Sequence, residues 1–151
     1  MQKIVPNLWF AGNAKEAVEF YTSVFRESKI INTAYYPEEG LADFQKSLAG
    51  QVLTVDYELN GQRFVTINAG DEFKFTEAVS LAIYCKDQEE IDYYWSKLSA
   101  VPASEQCGWC KDKYGLSWQV VPENMEELMK KPGAFTVMMN QKKIVIAEYT
   151  N

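Results

Sequence analysis

Any chemistry in this chain is done without histidine, since the 151 residues contain none. The most conspicuous reactive motif is Cys107-Gly-Trp-Cys110, whose spacing suits half of a zinc site or a redox dithiol. A structural zinc needs four ligands, and the chain offers one further cysteine, Cys85. A redox pair wants a helix N-terminus to lower a thiol pKa, whereas the flanking residues read as strand and turn. The three cysteines are therefore expected to be reduced thiols that pack as small hydrophobes. Asp56 and Glu58 stand two apart on a predicted strand and so share one face, as an acid/base pair would. The expectation favoured over a dyad is that Glu58 pairs with Arg63 at a solvated edge. No catalytic constellation is recognised.

The elements that position these residues form a weak internal repeat. Val5 to Phe25 (VPNLWFAGNAKEAVEFYTSVF) aligns without gaps on Val79 to Ser99 (VSLAIYCKDQEEIDYYWSKLS), and each copy reads strand, cap, helix. Asn13 with Glu16, and Asp87 with Glu90, have the spacing of a capping box. Behind the caps, Ala14, Ala17, Val18, Tyr21 and Val24 recur at helical spacing, as do Ile91, Tyr94, Trp95 and Leu98. Each helix is thus expected to lay one face on a sheet.

Further strands follow each helix. Lys29 to Tyr36 is β-rich, and Gln51 to Leu59, Asn60-Gly61, Gln62 to Asn68 reads as a hairpin with a type I′ turn. Its register sets Glu58 against Arg63 and Tyr57 against Phe64. In the second half, a short segment near Ala103 to Gln106 precedes strands Trp109 to Lys113 and Leu116 to Val121 around Tyr114-Gly115. Glu123 to Met129 suits a short helix and Lys142 to Tyr149 a final strand. The long connection from Pro37 to Gly50 suits a mobile lid or a dimer arm.

Length and a 47% hydrophobic content fit one domain, residues 1–151. Fifteen basic against twenty-one acidic residues give a charge of -6, a field that repels nucleic acid and anionic lipid. The opening MQKIVPNLWFAGN lacks an apolar signal core, and no segment approaches the ~20 apolar residues that cross a bilayer. A cytoplasmic protein is expected. The 14% aromatic content exceeds what the core needs, so some rings are expected at a cavity or an interface.

The runs LWFAGNAKEAVEFYTSVF and QVLTVDYELNGQRFVTINAG with the following FKF, together with EQCGWCKDKYGLSWQVVP and MMNQKKIVIA, resemble the PhnB-like family of the glyoxalase/bleomycin-resistance/dioxygenase (vicinal oxygen chelate) superfamily. The resemblance implies an α+β fold of two βαβββ modules, approximately 1–72 and 78–122, with a C-terminal helix and strand over 123–151. It implies a curved mixed sheet around a cleft, and usually a homodimer. Many members hold a divalent metal there on the first and last strands of each module. In this chain those positions fall at Pro6, or Asn7 if the strand slips by one, at Ser80, at Gln119, and at an unfixed position within Thr66 to Asn68. Amides and a hydroxyl bind such metals weakly, so no metal and no cofactor are expected.

The same resemblance directs Phe10, Tyr84, Trp109 and Trp118 toward the cleft as an apolar pocket, with Asn68 and Gln119 as its polar groups. A homodimeric small-molecule-binding protein is the leading expectation. The alternatives are a lyase, isomerase or dioxygenase using an unusual metal site or acid/base residues, and a dimeric interaction or regulatory protein whose rings belong to the interface. The demethylubiquinone methyltransferase label carried by some relatives finds no support here. A methyl-donor site would want a glycine-rich turn, and Ala11-Gly12-Asn13 has one glycine inside a capping signal.

Overall fold

Two sheets, each backed by one long helix, organise the chain in a computed structural model that describes residues 2–150. It separates into units of residues 1–74 and 75–151, dividing inside the gap between the two expected modules.

The first unit runs β1 (Asn7–Ala11), α1 (Ala14–Val24), β2 (Ser28–Tyr35), β3 (Val52–Leu59) and β4 (Gln62–Ala69). Its sheet has the order β1-β4-β3-β2, with β1 parallel to β4 and the other pairs antiparallel. The buried residues of α1 are Ala14, Ala17, Val18, Tyr21 and Val24, the same five that the helical spacing selects. They cover a sheet face made by Leu8, Phe10, Val55, Tyr57, Phe64 and Thr66. Asn60 and Gly61 take φ of 52° and 81°, the left-handed pair that a type I′ turn requires. The hairpin register is the expected one, and the Tyr57 and Phe64 rings stack at 5.7 Å.

Two expectations about side chains change. Arg63 stands opposite Glu58, yet its guanidinium reaches diagonally to Asp56, with Nε 2.8 Å from Oδ1 and Nη2 on Oδ2. Glu58 turns to Lys29, its neighbour on β2, at 3.6 Å. A forked guanidinium meeting a carboxylate with two parallel bonds outweighs a single directly opposite contact. The second change is at the start of α1. Asn13 makes no side-chain cap. The amide of Asn68, 54 residues away on β4, accepts the Ala14 N–H at 3.1 Å instead. The connection from Pro37 to Gly50 is closed at its base by Tyr36 N–H to Gln51 O (2.8 Å) and Gly50 N–H to Tyr36 O (3.2 Å), and it contains a 3-10 helix, Asp43–Leu48.

The second unit runs β5 (Ser80–Cys85), α2 (Gln88–Leu98), a 3-10 turn (Pro102–Ser104), β6 (Trp109–Lys111), β7 (Ser117–Pro122), α3 (Met125–Leu128), α4 (Ala134–Met139) and a last 3-10 turn (Ile146–Glu148). The sheet order is β5-β7-β6, with β5 parallel and β6 antiparallel to β7. Asp87 caps α2 as expected, accepting Glu90 N–H at 2.9 Å. Ile91, Tyr94 and Leu98 are buried on the inner face of that helix, with Trp95 half-buried beside them.

This unit departs from the expected pattern in three places. The segment near Ala103 to Gln106 forms the 3-10 turn and one bridge, Gln106 to Trp109, so the module has three strands rather than four. Pro102, which has no N–H to give a ladder, opens that turn. The β6-β7 connection is longer than Tyr114-Gly115, because the carboxylate of Asp112 gathers three donors: Tyr114 N–H (2.8 Å), Leu116 N–H (3.1 Å) and Trp118 Nε1–H (2.9 Å). Lys142 to Tyr149 forms no strand. The side-chain amide of Gln88 gives Nε2–H to Ile144 O (2.9 Å) and accepts Ile146 N–H (2.8 Å), which serves the backbone groups a sheet neighbour would have served. α4, absent from the expected elements, packs Ala134 against Leu128, Ile144 and Tyr149. Among the described residues no helix is long and apolar enough to cross a membrane.

Candidate functional site

Strand alternation assigns each side chain to one of two faces of the second sheet. Leu81, Ile83, Cys85, Cys110, Trp118 and Val120 point toward α2 and are buried or half-buried. The opposite face is a small grid read from the register. One row across it is Ala82, Gln119, Trp109, the next is Ser80, Ser117, Lys111, and Tyr84 with Val121 lies on the other side of the first. Ala82 is exposed and has nothing beyond Cβ, and its neighbours on this face are Tyr84, Gln119 and Ser80. Tyr84 is 68% exposed. Gln119 Nε2 donates to Ser80 Oγ at 2.9 Å, which joins the two side chains expected at the first-strand and last-strand positions. Lys111 is held by Glu77 at 2.5 Å.

Of the six expected ligand-binding residues, Tyr84, Trp109 and Gln119 thus share the sheet face turned away from α2. Trp118 lies on the other face, 2% exposed, with its indole N–H spent on Asp112. Adjacent residues of a strand cannot face the same way, so Trp118 and Gln119 serve opposite sides. Phe10 and Asn68 belong to the first unit and point toward α1. Phe10 is 3% exposed and meets Tyr21 at a centroid distance of 6.4 Å. Asn68 gives Nδ2–H to Val52 O (2.9 Å) in addition to accepting from Ala14, so both ends of its amide are engaged.

On the open face of the first sheet, β1 presents Trp9 rather than Phe10, with Ile67 as its register partner. Trp9 Nε1–H is bound to Gly70 O at 2.8 Å, and its ring meets Phe73 edge-on at 4.9 Å. Asn7 shares this face, and Pro6 precedes the strand. Setting Asn7 against Ser80 makes Ile67 the counterpart of Gln119, because each stands two places along from the direct partner, Val65 or Ser117. Thr66 and Asn68, the flanking possibilities, face the helix. The side chains at these positions are therefore two amides, one hydroxyl and one aliphatic group, with no imidazole, carboxylate or thiolate.

The cysteines are dispersed. Cys85 and Cys110 are buried and Cys107 is half-buried, all three as free thiols. Burial, aided for Cys85 by Glu90, Asp87 and Glu123 and for Cys110 by Asp112 and Glu105, pushes both buried thiols up to about 12. Asp56 moves the other way, because its bond to Arg63 holds the carboxyl below its ordinary range. Among the described residues no three of His, Cys, Asp and Glu are placed to hold a metal ion. A groove of about 60 Å³ lies between α1 and strands β2 and β3, over Val18, Val52 and Val55. None of the expected site residues lines it.

Sequence reasoning passed over Ser117 and Ala82. The signal for both was alternation: Ser117 stands two before Gln119, and Ala82 two before Tyr84.

Comparison with known proteins bears on the whole arrangement. The family model described as 3-demethylubiquinone-9 3-methyltransferase matches residues 2–121. Among solved structures, a PhnB protein from Bacillus cereus, provisionally described as a 3-demethylubiquinone-9 3-methyltransferase, is 38% identical. The match covers 80% of this chain and 99% of that one, with a TM-score of 0.64. Protein PA1353 from Pseudomonas aeruginosa (17% identity, 81% and 98% covered, TM-score 0.59) and the fosfomycin-resistance protein FosX from Mesorhizobium loti (11%, 87% and 100%, TM-score 0.54) share the fold. No curated protein matches significantly. The extent of the family match and the identity to the Bacillus protein make this chain a member of the PhnB-like 3-demethylubiquinone-9 3-methyltransferase family.

Proposed function

We propose that this protein binds a small planar organic molecule on the open face of the β5-β7-β6 sheet, without a metal ion, and that it works as a cytoplasmic homodimer. The observation that carries the reading is the row Ala82, Gln119, Trp109. An alanine is bordered by a phenol along its strand and an amide across it, with an indole on the far side of the amide, the mixture of apolar and few polar groups that ligand sites use. The metal-free part rests on the amides, hydroxyl and aliphatic group at the ligand positions, which bind first-row divalent ions weakly. Methyl transfer, the activity in the family's description, draws less support. The turn from β1 to α1 has Gly12 as its one glycine, and the first N–H of α1 is already taken by Asn68.

The test is thermal unfolding of the purified protein against a metabolite panel that includes S-adenosylmethionine, with Zn, Mn, Ni and Fe titrated separately. Any ligand that prefers the folded state raises Tm. A shift by a planar metabolite that disappears in Tyr84→Ala supports the reading. Tight stoichiometric metal binding would sink its metal-free part, and a shift by S-adenosylmethionine alone would move the protein to methyl transfer. Light scattering on the same sample decides the dimer.

A further inference from the structure

Ser117 is 1% exposed and its hydroxyl has no hydrogen-bond partner among the described residues. Buried polar groups are nearly always paired, and an orphan lowers stability. Its register neighbours are Ser80, whose Oγ accepts from Gln119, and Lys111, whose ammonium is tied to Glu77. Each charge at this edge has its opposite in contact. The capacity left over is neutral: the Ser117 hydroxyl, the hydroxyl proton of Ser80, the carbonyl oxygen of Gln119 and its second amide proton.

We propose that these neutral groups recognise an uncharged carbonyl or carboxamide carried on a flat ring, with the ring lying over Ala82 beside Tyr84 and reaching across Gln119 toward Trp109. The inference rests on the binding reading above and names its ligand class. A ligand oxygen takes the amide proton that Gln119 gives to Ser80, and Ser80 turns to Ser117, its direct partner across the strands. Binding therefore satisfies the hydroxyl that the free protein leaves unpaired. A carboxylate brought here meets Glu77, and an ammonium meets Lys111. Neither finds a spare counter-charge to offset its desolvation.

The experiment is a tryptophan-fluorescence titration of the full chain with benzamide, benzoate and benzylamine, repeated on Trp109→Phe, Ser117→Ala and Gln119→Leu. Benzamide is expected to bind about tenfold more tightly than either ion, the equivalent of one well-made hydrogen bond. The quench should vanish in Trp109→Phe and weaken several-fold in Gln119→Leu. Ser117→Ala should raise the Tm of the free protein while weakening benzamide, whereas a purely structural serine would move Tm alone. A Trp109-dependent response to benzoate or benzylamine as strong as that to benzamide overturns the neutral class and leaves the face as a ligand site. A benzamide quench that survives Trp109→Phe, or no response to any probe, overturns the subsite. The Tyr84-dependent metabolite shifts judge the broader reading independently.

Discussion

Replacing Asn68 should injure the first unit far more than replacing Asn13, although Asn13 has the sequence signature of the cap. Asn68 Oδ1 accepts Ala14 N–H at 3.1 Å and Nδ2 donates to Val52 O at 2.9 Å. Ala14 is fully buried, so in Asn68→Ala its N–H finds no water, while half-buried Val52 leaves its carbonyl partly reachable. An orphaned buried group costs about 1–3 kcal/mol, so the two together should cost about 2–5 kcal/mol. With a urea m-value of ~2 kcal/mol/M, the unfolding midpoint should fall by ~1–2.5 M. Asn13→Ala removes no capping bond and should stay within ~0.5 kcal/mol, where a working cap would cost ~1 kcal/mol. Equilibrium urea unfolding of both variants, followed by circular dichroism, reads the difference. Equal losses, or a larger loss for Asn13→Ala, would refute the assignment of the cap to β4.

Two further outcomes follow from charge and burial. Arg63 depresses the Asp56 pKa, so the folded carboxyl holds its proton less tightly than the unfolded one. Its contribution to stability is present above the ordinary carboxylate range and is lost as pH falls through the folded value. Asp56→Asn should therefore flatten the fall of the urea midpoint between about pH 5 and pH 2, and an unchanged acid limb would count against the pair. For the thiols, the native protein treated with iodoacetamide near pH 8 should gain one adduct by mass spectrometry, on Cys107, because Cys85 and Cys110 are buried and held near 12. Rapid labelling at Cys110 would contradict its place beneath α2.

What the sequence made legible was periodic. The buried face of α1, the Asn60-Gly61 hairpin and the cap of α2 each follow from residues within a few places of one another. What it hid was set by distant partners. Asn68 caps a helix across 54 residues, and Gln88 satisfies backbone 56 and 58 residues away, which lets Lys142 to Tyr149 do without a sheet. Asp112 reshapes its turn through Trp118, a donor outside the turn dipeptide. Family position grouped Tyr84, Trp109 and Gln119, which do share a sheet face, while placing Trp118 with Gln119 overlooked the period of a strand.

The repeat shows why helix and strand have to be aligned separately. Setting Val5 on Val79 superposes α1 on α2, but it also pairs Phe10, 3% exposed, with Tyr84, 68% exposed. The buried residue nearest the end of β1 is Phe10, four places before α1 begins. In β5 it is Cys85, three places before α2. The first turn therefore holds one residue more, and Gly12, at φ of 86°, takes up the extra length in a conformation open to glycine. One added residue inverts a strand relative to its helix. A slip of one residue in the other direction, Asn7 against Ser80, inverts the strand in the same way and so also matches the faces, and it puts Ile67 where the second sheet has Gln119. The helix-facing sides of both sheets then match in kind. The opposite sides do not: the first carries Trp9, Ile67 and the Asp56–Arg63 pair, the second Tyr84, Trp109, two hydroxyls, an amide and Lys111 in its pair with Glu77. The differences between the two units have thus fallen on the faces turned away from their helices, which is where a binding function has room to change without loss of the helix-to-sheet core.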